Sequence, residues 1–128
     1  MAYSDFRDLI AFQKGFDLSM KIFQLSKTFP SEEKYSLTDQ IRRSSRSVCA
    51  NIGEAYRKRR YRAHCISKLS DSDSENSETQ VWLLFSKECG YINSDVFEEL
   101  YSQSREVGRL LTYMMDNSEK FIFSQPVK

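Results

Sequence analysis

Tyr35–Arg62 reads YSLTDQIRRSSRSVCANIGEAYRKRRYR, and this stretch decides the fold. At about 100° per residue, Leu37, Ile41, Val48, Ile52 and Ala55 fall in one narrow sector of a helix. Arg42, Arg43, Arg46, Arg57 and Arg60 fall on the opposite side. Ala50 and Gly53 lie between the two arginine groups, with Cys49 at their margin. The stretch therefore predicts one long helix with an apolar stripe, a cationic stripe and a small-residue patch. The other segments are expected to cover its apolar side.

Upstream, Leu9, Phe12, Phe16, Met20 and Phe23 recur at spacings of three and four, which predicts a first helix over about residues 6–28 (Ser4 is an alternative start) with that stripe buried. Ile10, Ile22 and Leu25 widen the same face. Phe29-Pro30 stops it, because proline disfavours helical geometry in the preceding residue. The second helix is expected over about 36–60, with Ser36 as N-cap and Asp39 completing an imperfect capping box; Ser31 is an alternative start.

Downstream, Ala63, Ile66 and Leu69 begin a helical pattern that Val81, Leu84 and Phe85 resume. The intervening SDSDSENSETQ has the composition of a loop. A third helix over about 62–89, ended by Gly90, requires that stretch to be helical, with Ser70 and Ser77 facing the interior and bonding back to the backbone. Ser94 or Asp95 should cap a fourth helix over about 95–118. There Leu100, Val107, Met114 and Phe121 repeat every seven residues, with Phe97, Ser104 and Leu111 at the other heptad position. Residues 122–128 read as a loose tail. Four helical segments with short connections predict an all-α, antiparallel up-down-up-down four-helix bundle, one domain over residues 1–128.

Composition agrees. The 128 residues include 9 Phe and 7 Tyr, too apolar for a disordered chain, and 4 Gly and 2 Pro, too few for a turn-rich β fold. No run approaches a membrane span, and MAYSDFRDL lacks the apolar core of a signal peptide. The 3 cysteines are widely spaced without a CxxC pair, as in a reduced, cytoplasmic chain. The net charge of +1 conceals an asymmetry, because nine of the 19 basic residues and only Glu54 among the acidic ones fall within residues 41–70. Such a segment either binds a polyanion or docks on the acidic C-terminal half.

Catalytic constellations are missing, and no cofactor or metal is expected. The sole histidine, His64, adjoins Cys65, but neighbouring helical residues point about 100° apart. Asp71, Asp73, Glu75 and Glu78 lack the glycine and ligand order of a calcium loop and read as a solvated acidic face. The arginine stripe carries the functional content. Arg42, Arg43, Arg46, Arg57 and Arg60 would span about 27 Å of helix axis and could contact several phosphates of RNA or DNA, with Tyr56 and Tyr61 near for stacking. The competing reading pairs these arginines with acidic residues such as Asp71, Asp73, Glu98 or Glu99.

YSLTDQIRRSSRSVCANIGEAYRKR, the preceding FP and the later ETQ and ECGYI together resemble the bacterial four-helix-bundle family of S23, or 23S rRNA intervening-sequence, proteins. The resemblance runs from about Phe6 to Met115. Two departures stand out: Cys49 occupies a position usually held by proline, and Ser70–Ser77 is more polar than the family pattern. Ala50 and Gly53, with Cys49 at their margin, leave almost no side-chain bulk on their face, which would admit a neighbouring copy there; together with the resemblance, which implies a homo-oligomer, this predicts a ring of five. The resemblance also implies a distant relation to the accessory proteins of diversity-generating retroelements, which are strongly basic, unlike this chain. A nucleic acid or a protein partner is the expected ligand, and the alternative to nucleic-acid binding is a protein-interaction scaffold.

Overall fold

The computed structural model describes residues 5–123, with side chains through residue 120. Ser4, the Phe121 side chain and the tail from residue 124 onward lie outside the described residues. Four long helices, α1 (Ile10–Ser26), α2 (Leu37–Arg57), α3 (Arg62–Glu88) and α4 (Ser94–Asp116), precede a short α5 (Ser118–Phe123). Each long helix packs on its sequence neighbour, α1 closes the square against α4, and the diagonal pairs do not bring their backbones close among the described residues. The result is the expected antiparallel four-helix bundle.

The first helix begins later than its sequence pattern. Asp5 and Asp8 form a reciprocal capping box around a 3-10 turn at Phe6–Asp8, and Leu9 then takes an extended conformation before α1 starts. The stripe expected to be buried in α1 is also displaced. Ala11, Gly15, Leu18, Ser19, Ile22 and Ser26 face the bundle, whereas Phe16 stays 51% and Met20 44% exposed. The cause is a close α1–α2 approach through small residues. A Cβ on Gly15 would lie 3.3 Å from Cys49 Sγ, and Ser19 Oγ meets Ser45 Oγ at 3.2 Å. Periodicity groups residues on a face but does not say which face is covered.

Helix ends use partners that the sequence pattern misassigned. Ser36 makes no side-chain cap for α2. It donates its hydroxyl to Glu33 Oε1 at 2.7 Å, and that oxygen also accepts the Leu37 N–H. Glu33 Oε2 accepts the Tyr91 hydroxyl at 2.8 Å, clasping the α1–α2 and α3–α4 connections together. The Ser36 and Tyr91 hydrogen bonds hold the Glu33 carboxyl below its usual range, while Glu33 pushes the Tyr91 phenol up to about 12. Asn93, not Ser94 or Asp95, caps α4 through Val96 N–H. Gly90 ends α3 as expected. Its φ of +79° places Tyr91 N–H on the Ser86 carbonyl and its own N–H on Lys87, both at 2.9 Å, the paired bonds of a left-handed glycine cap.

The core has two apolar ends and a polar middle. One cluster gathers Leu9, Val48, Ile52, Leu69, Val107 and Leu111; the other gathers Leu18, Ile22, Ile41, Leu83, Phe97 and Leu100. Between them every long helix contributes small polar residues. Ser44 Oγ meets Thr79 Oγ1 at 2.9 Å, and Ser72 donates to the Val48 carbonyl at 2.8 Å. Asn76 Nδ2 donates to the Ser104 carbonyl while the Ser104 hydroxyl donates to Asn76 Oδ1, each at 2.8 Å. The serine- and aspartate-rich stretch is therefore continuous helix. Its buried members are Ser72, Asn76 and Thr79, and Ser70 and Ser77 face solvent, contrary to expectation. The polar residues tolerated here are those whose side chains find partners on another helix, which offsets their low helical propensity.

Candidate functional site

Two adjoining concavities occupy the outer surface of α2, one shared with α1 and the other with the connection that precedes α2. The first is an apolar groove of about 680 Å³ between the two helices, lined by Phe6, Phe12, Phe16, Met20, Ala50 and Gly53, with Arg46 and Arg57 among its polar residues. Its exposed large side chains, Phe16 and Met20, come from the α1 stripe, while Phe12 of that stripe and Phe6 of the preceding turn are part-buried against the core. Phe12 stacks on Phe16 at 5.9 Å between centroids and meets Phe6 edge-on at 4.9 Å. Its floor comes from the small residues of α2. Ala50 is exposed, and a Cβ on Gly53 would lie 4.0 Å from the Phe6 ring. Cys49 is buried at the base of the groove, against Gly15, and burial pushes its thiol up to about 12.

The second concavity, about 650 Å³, is cationic. It is bounded by Lys34, Tyr35, Asp39, Arg42, Arg43 and Arg46, and Arg46 and Ala50 border both spaces. Its arginines divide into two kinds. Arg43 turns toward α3 and pairs with Glu75 at 3.3 Å and with Glu78. The Glu78 hydrogen bond raises the Arg43 pKa against the cost of burial. Burial pushes Glu78 up, but hydrogen bonds from Trp82 and Arg43 outweigh it and leave the carboxyl below its usual range. Arg42 and Arg46 turn toward α1, with guanidinium carbons 4.9 and 5.6 Å from the Phe23 ring centroid. Arg42 Nε donates to Ser26 Oγ at 2.7 Å. Neither Arg42 nor Arg46 has a carboxylate within ion-pair distance among the described residues.

The structure thus breaks the expected stripe. Arg42, Arg43 and Arg46 gather at one end of α2, Arg57 is its last residue, and Arg60 lies in the turn beyond it. Arg57 borders the apolar groove instead of the cationic one. Of the acidic competitors expected for the arginines, Glu99 pairs instead with Lys21, bridging α4 to α1, and Asp71, Asp73 and Glu98 make no ion pair with arginine among the described residues; the pairing with α3 is made by Glu75 and Glu78, on Arg43 alone. His64 is exposed and Cys65 is core, its thiol pushed up to about 11 by burial, so the two do not form a reactive pair. Among the described residues no group of acidic, cysteine and histidine side chains could hold a metal ion, and no helix is long and apolar enough to cross a membrane.

Lys34, Tyr35, Phe16 and Met20 are the residues that sequence reasoning left out of the site. Tyr35 and Lys34 sit in a connection without periodicity. The two α1 residues carried a signal, their i, i+4 spacing beside a second apolar stripe, but periodicity alone assigns such a pair to the core.

Comparison with known proteins gives one family. The model of the 23S rRNA-intervening sequence protein family matches residues 7–113. A crystal structure of a protein of unknown function from the S23 ribosomal protein family of Bacteroides thetaiotaomicron is similar at 30% identity and a TM-score of 0.79, covering 87% of this chain and 99% of that one. No curated protein matches.

Proposed function

Because the chain belongs to the 23S rRNA-intervening sequence protein family, and because its α1–α2 face leaves aromatic side chains uncovered, we propose that it is a non-enzymatic, self-associating helical bundle. The observation that carries this reading is the groove in which Phe16 and Met20 stand exposed over Ala50 and Gly53. Contiguous apolar concavities of this kind mark contact sites, and the small floor residues admit a neighbouring backbone closely. A contact of one face with a different face of the next copy closes into a ring. The family resemblance supports five members. The lack of enzymatic activity rests on the missing catalytic constellation in the sequence.

Light scattering on the native protein at micromolar concentration should give a mass near five times 15.1 kDa. Phe16→Glu should shift the population to monomer with unchanged helical circular dichroism, because Phe16 contributes little to the bundle's own core. A monomer mass for the unaltered protein would overturn the proposal.

A second reading is favoured by one observation: Arg42 and Arg46 are held by aromatic contacts with no carboxylate partner among the described residues. Cations kept free in this way suit contact with RNA or DNA. Repetition around a ring would multiply weak phosphate contacts through effective concentration. Binding that weakens steeply with salt is the expected signature.

A further inference from the structure

Resting on that second reading, we infer that the cleft bounded by Lys34, Tyr35, Arg42 and Arg46 takes one strand of unpaired nucleic acid, its phosphates on the arginines and a base on Tyr35. Arg42 and Arg46 are one helical turn apart, about 6 Å along the axis, the order of one nucleotide step in an extended strand. Both guanidiniums are oriented before any ligand arrives. The Phe23 ring backs them at 4.9 and 5.6 Å. The Ser26 hydroxyl accepts Arg42 Nε and donates to the Phe23 carbonyl at 3.0 Å. With Nε engaged, the terminal nitrogens of Arg42 remain as donors, in the planar fork that matches a phosphate.

Tyr35 supplies the second half of the site. It is 85% exposed, far more than a tyrosine held for packing, and stands where the chain turns into α2. The Lys34 ammonium lies 5.3 Å from its ring centroid, so the aromatic surface and a third cation occupy one corner of the cleft. Aromatic platforms joined to a cationic groove are how proteins hold unpaired strands with little sequence preference. Asp39 also borders the cleft and opposes phosphate; Arg43 is largely spent on Glu75 and Glu78.

A duplex fits less well. Phosphates of two strands call for cations along the length of α2, and the row is interrupted: Arg43 is paired, and Arg57 and Arg60 lie at the other end. A short cluster with a stacking residue matches a single strand instead.

The test is fluorescence anisotropy on the intact protein with a short labelled RNA, a DNA of the same sequence, and the corresponding duplexes. Arg42→Gln combined with Arg46→Gln should weaken single-strand binding at least about tenfold and flatten its log–log salt slope by roughly 1.4, two phosphate contacts' worth. Tyr35→Ala should weaken it roughly fivefold or more through lost stacking, whereas Arg43→Gln should change it less than about twofold, since that side chain is already neutralised. Arg46→Gln alone guards against misfolding of the double variant, and each variant's helicity and mass are measured alongside. If the unaltered protein binds no nucleic acid at low salt, the second reading fails and takes this site with it. If it binds, but the loss follows Arg57→Gln and Arg60→Gln, the reading stands and the cleft is overturned. Equal affinity for duplex and single strand overturns the single-strand assignment.

Discussion

At the scale of single residues, the three cysteines show how position sets chemistry. Cys49 and Cys65 are buried and Cys89 is exposed. Burial pushes the first two thiols up to about 12 and about 11. The thiolate is the reactive form, so at pH 8 almost none is present at either position in the folded state. A thiol reagent should modify Cys89 quickly and the other two only after denaturation, as intact mass would report. Modification of Cys49 at a rate near that of Cys89 would mean that α1 lifts from α2 at Gly15. The pKa shifts also give a sign: a raised thiol pKa contributes stability below the ordinary value of 9.0, lost as pH climbs through the folded values.

Among the helices, legibility followed the kind of information each pattern contains. The heptads of α4 were readable because Phe97, Leu100, Val107 and Leu111 are apolar and buried together. The polar run in α3 resisted propensity, which describes an isolated segment, because Ser72, Asn76 and Thr79 find their partners on α2 and α4. The α1 stripe misled for the opposite reason: its pattern was real, but the residues that settle burial, Gly15 and Cys49, lie on two helices. The arginine stripe was legible as a set of cations, but its division was not, since Glu75, Glu78 and Phe23 lie far from α2 in sequence. Asn76 offers a direct check. It exchanges hydrogen bonds with Ser104, and Gly108 makes room for it, since a Cβ there would come within 3.3 Å of its amide nitrogen. Asn76→Ala should cost about 2 kcal/mol by removing both bonds to Ser104, whose buried hydroxyl then keeps only the Gln80 amide as partner, read from the urea midpoint at unchanged m-value. A loss below about 0.5 kcal/mol would show that the layer relaxes around the gap.

For the molecule as a whole, the layer of Ser44, Ser72, Asn76, Thr79 and Ser104 divides the core into two apolar ends, and this carries a thermal consequence. Unfolding such a bundle hydrates less apolar and more polar surface than unfolding a uniformly apolar one of equal length. Apolar exposure raises heat capacity by about 0.45 cal/K/mol/Å², and polar exposure lowers it by about 0.26. Calorimetry on the Phe16→Glu variant, which under the proposed function is monomeric and free of the concentration dependence of an assembly, should therefore give an increment below ~12–15 cal/mol/K per residue. A value within or above that range would refute the argument. A small increment flattens the curve of stability against temperature, so the bonds that index one helix against the next also make the fold comparatively indifferent to warming and cooling.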